Sequence, residues 1–437
     1  MELKELMQSA GIVGAGGAGF PSYAKLAPGA DTLVVNGAEC EPLLYTDYHM
    51  LKRELSLVLA GIEAVLDAAN IPKSLLAVKE HTAEKLKWTD GKALSTRITV
   101  KVLPNVYPMG DEISLIYQST GRVVKPGNLP ITAGVIVLNV ETLYNVGNVV
   151  KYGKPVTETW LTIGGDVPQP IALKVPVGTS VESVFEKYGI TVPETHTVLD
   201  GGPSMGKIID PETAVIGKTT KGLLILPNTS EAVKSKHIDA KKSVARAETA
   251  CCQCTRCTDM CPRYLLGYPL EPHKMVRTAM SAAEFLPEMV ITANLCCGCG
   301  ICETLACCQG ISPKAVITQY KEVIGKNKIR YVAKEEVQPR AEREWRMVPS
   351  EKWESVLGVK FFDRVAVFKD DPITVKKVEI NLRPHIGAPS VPCVKDGDKV
   401  RKGDVIATAG EGLSIAQHAS IDGTAYIDGN KIIIYQD

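Results

Sequence analysis

The stretch Cys251-Cys252-Gln253-Cys254-Thr255-Arg256-Cys257-Thr258-Asp259-Met260-Cys261-Pro262 decides how the middle of this chain folds. The chain has 13 cysteines, and they crowd into the segment from Cys251 to Cys308, leaving only Cys40 and Cys393 outside it. Disulfide scaffolds normally belong to small secreted domains rather than to one short segment of a large chain. The clustering therefore points to metal binding.

The spacing of these cysteines is that of an iron–sulfur protein. The first run is Cys-x2-Cys-x2-Cys-x3-Cys-Pro, which matches the bacterial ferredoxin pattern. A second run, from Cys296 to Cys307, has a four-residue final gap and places Cys308 where proline is usual. Structural zinc usually takes paired Cys-x2-Cys knuckles. The sequence thus predicts two [4Fe-4S] clusters, with zinc or ordinary buried thiols as the alternatives.

The ferredoxin pattern also predicts how the ligands are shared. In two-cluster ferredoxins the fourth cysteine of each run ligates the other cluster. One predicted ligand set is therefore Cys251, Cys254, Cys257 and Cys307, and the other is Cys296, Cys299, Cys302 and Cys261. The left-over cysteines are expected to be packing residues, with an alternative role as ligands: Cys252, Cys297, Cys308, Cys40 and Cys393.

Length and charge set the frame around this segment. With 437 residues the chain is too long for one hydrophobic core, so several domains are expected. Its 50 Lys and Arg nearly balance its 49 Asp and Glu, which disfavours nucleic acid or anionic lipid as partners. The N-terminal residues lack the long apolar run of a signal peptide, and no stretch reaches about 18 uninterrupted apolar residues, so neither a signal peptide nor a membrane span is expected. We expect a cytoplasmic protein; a bacterial microcompartment or the periphery of a membrane complex is the alternative.

Periodicity predicts an α/β multidomain chain. Strands are expected at 32–35, 75–78 and 134–139, and helices at 55–66 and 111–120. Short β runs around one helix near 181–188 suggest a β-grasp module, and the cysteine segment is expected to be helical. The predicted domains are 1–155 (α/β), 156–238 (β-grasp), 239–325 (two-cluster helical), 326–375 (connector) and 376–437 (barrel-sandwich hybrid).

A glycine-rich loop, Gly14–Pro21, contains a formal G-x-G-x-x-G, and Glu39 follows about 20 residues later. Such glycines let the backbone approach a phosphate, whose charge Lys25 can neutralise. A plain tight turn is the alternative. Polar loops also follow predicted strands at Asn36–Pro42 and Asn139–Thr142, where helix caps are the alternative reading.

These loops, in this order and together with Gly110–Glu112, resemble the FMN- and NADH-binding flavoprotein subunit of respiratory complex I. With both cysteine runs, the chain resembles the RnfC/PduS family, whose β-grasp module is of the SLBB type. The resemblance implies an NADH-dependent oxidoreductase in which FMN takes electrons from NADH and the clusters lead them onward. It implies these FMN- or nicotinamide-binding residues: Gly14, Gly16, Gly17, Gly19, Phe20, Lys25, Asn36, Glu39, Gly110, Glu112 and Asn139.

The resemblance extends to the C-terminal stretch, which is similar to the barrel-sandwich domain that RnfC carries at its N-terminus. Its hairpin at 410–419 contains no lysine, so a docking module is expected rather than a carrier of a swinging group. The implied partner is a redox protein: a corrinoid enzyme or adenosyltransferase, a ferredoxin-like protein, or Rnf-type subunits. Two alternatives to corrinoid reduction stay open, namely a cluster-only electron relay and a peripheral subunit of a membrane NADH:ferredoxin oxidoreductase.

Overall fold

The structure, a computed structural model, describes residues 2–280, 286–333 and 335–437. The predicted two-cluster domain and the predicted connector each include residues outside this description, at 281–285 and at 334. In the described part of the chain, no helix has both the length and the apolar character needed to cross a membrane.

The N-terminal region is built on a parallel sheet with strand order β3-β2-β1-β5. Because successive side chains of a strand point to opposite faces, the sheet has two apolar faces. One face packs against α3 and α6, and the other packs against α5 and the helices of the cysteine segment. The elements are α1 (Leu3–Ser9), β1 (Thr32–Gly37), α2 (Thr46–Arg53), α3 (Leu55–Ala68), β2 (Lys73–Lys79), α4 (Glu80–Leu86), β3 (Ile98–Leu103), β4 (Val106–Tyr107), α5 (Glu112–Thr120), β5 (Val135–Asn139) and α6 (Val140–Tyr152).

Helices α3 and α6 cross closely because each has a glycine at the contact. A methyl group on Gly61 would lie 1.9 Å from the Leu143 carbonyl oxygen, and one on Gly147 would lie 2.0 Å from that of Leu57. Real side-chain carbons do not approach backbone oxygens so closely, so the crossing depends on both glycines. Helix α6 begins directly after β5, so its N-terminus, and with it Glu141, lies at the carboxyl edge of the sheet.

A mixed sheet with strand order β12-β7-β6-β10-β8-β9 follows the α/β region, with its edge strand β12 (Val367–Lys369) contributed by a later part of the chain. Strands β6 and β7 form an antiparallel hairpin, and β10 returns parallel to β6. The apolar face packs against α7, with Val184 and Leu223 in its core. The elements are β6 (Glu158–Gly165), β7 (Ile171–Pro176), α7 (Val181–Lys187), β8 (His196–Asp200), β9 (Lys207–Ile209), β10 (Gly222–Pro227) and α8 (Glu231–Lys234).

In the described residues the cysteine segment is largely helical between its two runs, as predicted. Its helices pack on the α/β sheet through residues such as Leu266 and Met275. The elements are α9 (Ala240–Ala250), α10 (Arg256–Asp259), α11 (Pro262–Leu265), α12 (Pro272–Met280), α13 (Pro287–Ile291), a π-helical turn (Cys302–Ala306) and α14 (Pro313–Lys326).

The region expected to be a connector contains regular structure that packs back on the other modules. Strand β11 pairs with β4 of the α/β region, and β12 extends the mixed sheet by pairing with β7. Trp353 is fully buried, although its neighbours are charged. The elements are α15 (Arg343–Arg346), β11 (Val348–Pro349), α16 (Ser350–Leu357) and β12 (Val367–Lys369).

The C-terminal region forms two small antiparallel sheets, with strand orders β13-β19-β18-β15 and β14-β16-β17. Their apolar residues, such as Ile406 and Ile432, share one core with the mixed sheet. His385 and His418 are both buried here. The strands are β13 (Lys377–Asn381), β14 (Val391–Pro392), β15 (Asp398–Val400), β16 (Val405–Thr408), β17 (Gln417–His418), β18 (Gly423–Asp428) and β19 (Lys431–Tyr435).

Three modules meet around a buried lysine. Lys218, which precedes β10, donates a hydrogen bond from Nζ to the Gly11 carbonyl oxygen at 2.9 Å. A methyl group on Gly11 would lie 2.6 Å from the Ala416 carbonyl oxygen, so the C-terminal module closes over the same point. Burial lowers the pKa of Lys218 to about 7. Burial and the nearby Lys218 lower the pKa of His418 to about 3, which keeps the imidazole neutral.

We expect Lys218→Met to flatten the pH dependence of stability above neutrality. Below pH 7 the lysine is charged in both folded and unfolded chains, and burial of its charge lowers the free energy of unfolding by its full amount. As the pH rises from about 7 toward the ordinary value of 10.5, the folded chain loses the proton first and becomes relatively more stable. Urea midpoints measured from pH 6 to pH 10 test this, with the exposed Lys241→Met as the control. An unchanged slope in Lys218→Met would contradict it.

Candidate flavin site and cysteine hollows

The carboxyl ends of the parallel strands bring the predicted amides together. Asn36 of β1 is in register with Asn139 of β5. Asn139 donates from Nδ2 to the Asn36 carbonyl oxygen at 3.2 Å, and Asn36 donates from its own Nδ2 to the Gly110 carbonyl oxygen at 3.0 Å. Ligands of open α/β sheets bind outside this edge. Three of the predicted residues therefore line the part of the fold where a ligand is expected.

The glycine loop reaches the same edge. It is closed by a hydrogen bond from the Gly14 amide to the Phe20 carbonyl oxygen at 2.8 Å. A methyl group on Gly16 would lie 3.1 Å from Nδ2 of Asn139, whereas one on Gly17 would meet no atom within 4 Å. Both glycines are exposed; Gly16 lies close against the Asn139 amide, and Gly17 leaves an open backbone surface beside it.

Two other predicted residues, Gly19 in the loop and Lys25 after it, contact other elements of the protein. Gly19 has a left-handed φ of +69°, and a methyl group there would lie 2.9 Å from the carbonyl oxygen of Pro384 in the C-terminal module. Lys25 donates from Nζ to Glu112 at 2.7 Å and to the Val137 carbonyl oxygen at 3.1 Å. Two residues predicted for different parts of the site therefore form an ion pair. Phe20 is half-buried at the end of the loop.

The two acids of the Asn36–Pro42 loop serve different elements. Glu39 has a left-handed φ of +36° and accepts hydrogen bonds from the Asp47 and Tyr48 amides, at 2.9 and 3.2 Å, in the first turn of α2. Burial and the nearby Asp47 raise the pKa of Glu39 to about 7. Glu41 instead accepts from the Ser204 amide at 2.9 Å, across the boundary to the mixed sheet.

A buried group of charges lies beneath the amides, and the sequence analysis did not select its members. Oε1 of Glu141 accepts from the Trp160 amide at 3.2 Å, and Oε2 pairs with the ammonium of Lys221. Asp47 accepts from Nδ2 of Asn139 at 3.1 Å, and its other oxygen has no partner among the described residues. Burial lowers the pKa of Lys221 to about 8, against the pull of the carboxylates. The one sequence signal was Glu141, inside the Asn139–Thr142 motif.

A cavity of about 380 Å³ opens beside the Glu39 loop. Its lining includes Lys79, His81, Tyr107 and Trp353. The rings of Tyr107 and Trp353 are stacked, with centroids 4.7 Å apart and an angle of 8° between their planes. The Tyr107 hydroxyl donates to the Cys299 carbonyl oxygen at 2.8 Å. The wall of the cavity is therefore bonded directly to the second cysteine run.

The cysteines line two separate hollows, and each hollow takes cysteines from both runs. Cys261 of the first run lies with the second run, and Cys307 of the second run lies with the first. One hollow is lined by Cys261, Cys296, Cys297, Cys299 and Cys302, and the other by Cys251, Cys252, Cys254, Cys257, Cys307 and Cys308. The first is largely buried, and the second is exposed at Cys252, Cys254 and Cys308.

Both runs use the same backbone turns. Gly298 and Gly300 have left-handed φ values of +75° and +84°, at the second residue after Cys296 and the first after Cys299. The corresponding residues of the first run are Gln253 and Thr255, with φ values of +55° and +61°. A non-glycine residue pays roughly 1–2 kcal/mol for this conformation. Two such residues in one short loop are consistent with a loop shaped around a bound group.

The donor chemistry fits iron–sulfur clusters. Sulfur is a soft ligand that suits iron–sulfur clusters or zinc, and each hollow offers at least the four thiols that a [4Fe-4S] cluster needs. Backbone amides point at two of the sulfurs: Gly298 donates to Cys296 and Ile311 donates to Cys307, each at 3.3 Å. Hydrogen bonds to sulfur help set the potential of such clusters.

Three stretches of the chain match known protein families. Residues 7–148 match the Nuo51 FMN-binding domain, residues 250–312 a 4Fe-4S dicluster domain, and residues 359–428 the RnfC barrel sandwich hybrid domain. These matches confirm the predicted FMN and paired iron–sulfur clusters and make the chain a flavin and iron–sulfur oxidoreductase, in agreement with the predicted NADH-linked electron transfer.

Whole-chain relatives agree. The chain is 36% identical to cobalamin reductase PduS of Citrobacter freundii over 423 residues, which is 96% of this chain and 93% of that protein. It is 35% identical to cobalamin reductase PduS of Salmonella typhimurium over 424 residues, which is 97% of this chain and 93% of that protein. It is 32% identical to one subunit of the proton-translocating ferredoxin:NAD(+) oxidoreductase complex of Clostridium ljungdahlii, over 60% of this chain and 56% of that protein. The chain therefore belongs to the RnfC/PduS family, with PduS-type relatives along almost its whole length.

Proposed function

We propose that this protein passes electrons from NADH, through FMN at the sheet edge and then two [4Fe-4S] clusters, to a corrinoid held by a partner protein. The observation that carries the proposal is the bond from Tyr107 to Cys299, which joins the edge of the flavin domain to the buried cysteine hollow. The acceptor is suggested by the two PduS relatives, which are cobalamin reductases.

The residues at the sheet edge have different roles in the proposed binding of FMN. The exposed backbone of Gly16 and Gly17 suits a phosphate, and the amides of Asn36 and Asn139 supply polar contacts. When bound, FMN accepts two electrons together and releases them singly. Lys25 and Glu112 act as an ion pair at one side of the site, and Glu39 supports it by capping α2. Gly14, Gly19 and Gly110 shape the backbone, and Phe20 closes the loop.

The different burial of the two hollows supports an order for the two clusters. Cys261, Cys296, Cys299 and Cys302 hold the buried cluster, which lies on the Tyr107 side. Cys251, Cys254, Cys257 and Cys307 hold the exposed cluster, which serves as the exit to the partner. Burial excludes water from the first cluster, and exposure gives the second access to an acceptor.

We propose the domain boundaries 1–155, 156–238, 239–325, 326–375 and 376–437. A β-grasp of the SLBB type is supported for the second domain by the β6–β7 hairpin, helix α7 and the return of β10 parallel to β6. The last domain is a docking module of the barrel-sandwich type.

A peripheral member of a membrane complex is the second candidate function, because 60% of the chain matches a protein that belongs to an ion-translocating complex.

An anaerobic titration with NADH tests the proposed route. The purified, reconstituted protein is followed by absorbance and low-temperature EPR. We expect flavin bleaching first and cluster signals after it, and then oxidation of the clusters when a corrinoid is added. If dithionite reduces the clusters while NADH changes neither flavin nor clusters, the protein is a cluster-only electron relay and the proposed NADH route is wrong. If NADH reduces the clusters and ferredoxin is then reduced while the corrinoid stays oxidised, the second candidate function, a peripheral member of a membrane complex, is favoured.

The glycine loop can be tested separately with Gly17→Ala. No atom lies within 4 Å of the added methyl group, and Gly17 is not in the left-handed region, so stability should be unchanged. Bound FMN would meet that methyl group, so we expect FMN binding to weaken by at least about tenfold, which corresponds to about 1.4 kcal/mol. Fluorescence titration of the apoprotein with FMN measures this. Gly325→Ala, which also adds a methyl group in open space, is the matched control.

A further inference from the structure

Two cysteines that the cluster motifs do not use meet at the surface. Cys252 and Cys308 are both exposed, and their sulfurs lie with that of Cys254 in a group whose members are all within 4.8 Å of one another. Cys254 is a proposed ligand of the exposed cluster. When its sulfur is bound to iron, Cys252 and Cys308 remain as a pair of neighbouring thiols.

The exchange of ligands between the two runs explains why these thiols meet. It carries Cys307 into the hollow of the first run, and the next residue, Cys308, arrives with it beside Cys252. At the buried hollow the same exchange brings Cys261, but the next residue there is Pro262. Cys297, the equivalent of Cys252, therefore has no equivalent of Cys308 beside it. Among the residues that the structure describes, such a pair therefore occurs at the exposed hollow and not at the buried one.

We propose that Cys252 and Cys308 are a redox-active thiol pair, which closes into a disulfide across the mouth of the exposed cluster without involving a cluster ligand. The bond would tie the loop of the first run to the end of the second run. It stays open while low-molecular-weight thiols are reduced and closes when they become oxidised. The inference rests on the proposed ligand assignment and adds a modification site to it.

Oxidised glutathione is the oxidant in this step, and the exchange balances. The Cys252 thiolate attacks one sulfur of oxidised glutathione, which forms a mixed disulfide and releases one glutathione thiolate. The Cys308 thiolate then attacks the Cys252 sulfur, which forms the Cys252–Cys308 bond and releases the second glutathione thiolate. The protein loses two electrons and two protons, and oxidised glutathione gains them as two glutathione thiols.

The test uses the holoprotein, purified without oxygen and treated anaerobically with oxidised glutathione. Free thiols are then blocked with N-ethylmaleimide, and the digest is analysed by mass spectrometry. We expect a peptide pair linked through Cys252 and Cys308, the loss of two blockable thiols, and full recovery after dithiothreitol. Iron and sulfide contents should not change. In Cys252→Ser and Cys308→Ser the link should be absent.

The exposed Cys393, in the C-terminal module, provides the matched control, because Cys393→Ser should form the link like the parent chain. Three outcomes would overturn the proposal. In the first, Cys252 and Cys308 both remain blockable under conditions in which Cys393 reacts with glutathione. In the second, a disulfide forms with Cys254 and iron is lost. In the third, the purified chain holds a zinc ion that disappears in Cys252→Ser. The ligand assignment fails separately, if Cys252→Ser or Cys308→Ser lowers the iron content.

Discussion

Replacing Cys261 with alanine should remove the buried cluster and spare the exposed one, although Cys261 belongs to the first cysteine run. The side chain lies in the hollow formed by Cys296, Cys299 and Cys302. Without the Cys261 thiolate, this [4Fe-4S] cluster would keep only three of its four ligands. Iron should fall from about eight to about four per chain, with sulfide in proportion. NADH should still bleach the flavin, while transfer to the final acceptor should fall by at least about a hundredfold, because the path is interrupted.

Matched variants show which cluster is lost. The EPR spectrum of reduced Cys261→Ala should agree with that of Cys299→Ala and differ from that of Cys257→Ala, whose side chain lines the exposed hollow. Cys393→Ala should keep the full iron content, since Cys393 lies far along the chain in the C-terminal module. If Cys261→Ala instead shares its spectrum with Cys257→Ala, each run holds its own cluster and the exchange is wrong.

Lys221→Met should destabilise the fold by roughly 3–5 kcal/mol, which is the usual cost of leaving a buried charge without its partner. The Lys221 ammonium is the cation paired with Glu141, and it attracts the Asp47 and Glu39 carboxylates as well. Methionine has a similar length but cannot neutralise them. Urea unfolding, followed by tryptophan fluorescence, should show a lower midpoint in this variant. The exposed pair of Lys402 with Glu158 provides the control, because Lys402→Met should cost no more than about 1 kcal/mol.

A double variant separates charge from packing. Glu141→Gln keeps the shape of the side chain and removes its charge, so Lys221→Met combined with Glu141→Gln should be more stable than the sum of the two single losses predicts. The expected coupling is about 1–3 kcal/mol. Strict additivity would show that Lys221 acts through packing alone.

The strands and helices of the flavin domain were predictable because local patterns dominate there. The apolar run at 32–35 became the centre of β1 (Thr32–Gly37), and the helical spacing from Leu55 predicted α3 (Leu55–Ala68). Asp111, a good capping residue, marked the start of α5, and its carboxylate accepts from the Ser114 amide at 3.1 Å. The two cysteine runs predicted the clusters through spacing alone, and the family comparison confirmed them.

The buried charges could not be predicted, because their partners are far apart in the sequence. Lys221 pairs with Glu141, 80 positions earlier and in another module, and no local pattern marks either as buried. Trp353 stacks on Tyr107 from a charged segment that was expected to be a connector. A single aromatic residue among charged ones carries no periodic signal. Lys25 was predicted to face a phosphate, but its ion pair with Glu112 depends on how α5 packs.

The contact between the N-terminal helix and the C-terminal module has a consequence for the evolution of the family. The Gln8 side chain donates to the Ser414 carbonyl oxygen at 3.1 Å, and the Ala416 amide donates to the Gln8 carbonyl oxygen at the same distance. A gene rearrangement could move the coding segment of this module from the last position to the first, and a linker would then let the module return to the same place. A chain with this module first would thus be expected to keep both contacts, so a change of module order in evolution need not change the spatial arrangement of the modules.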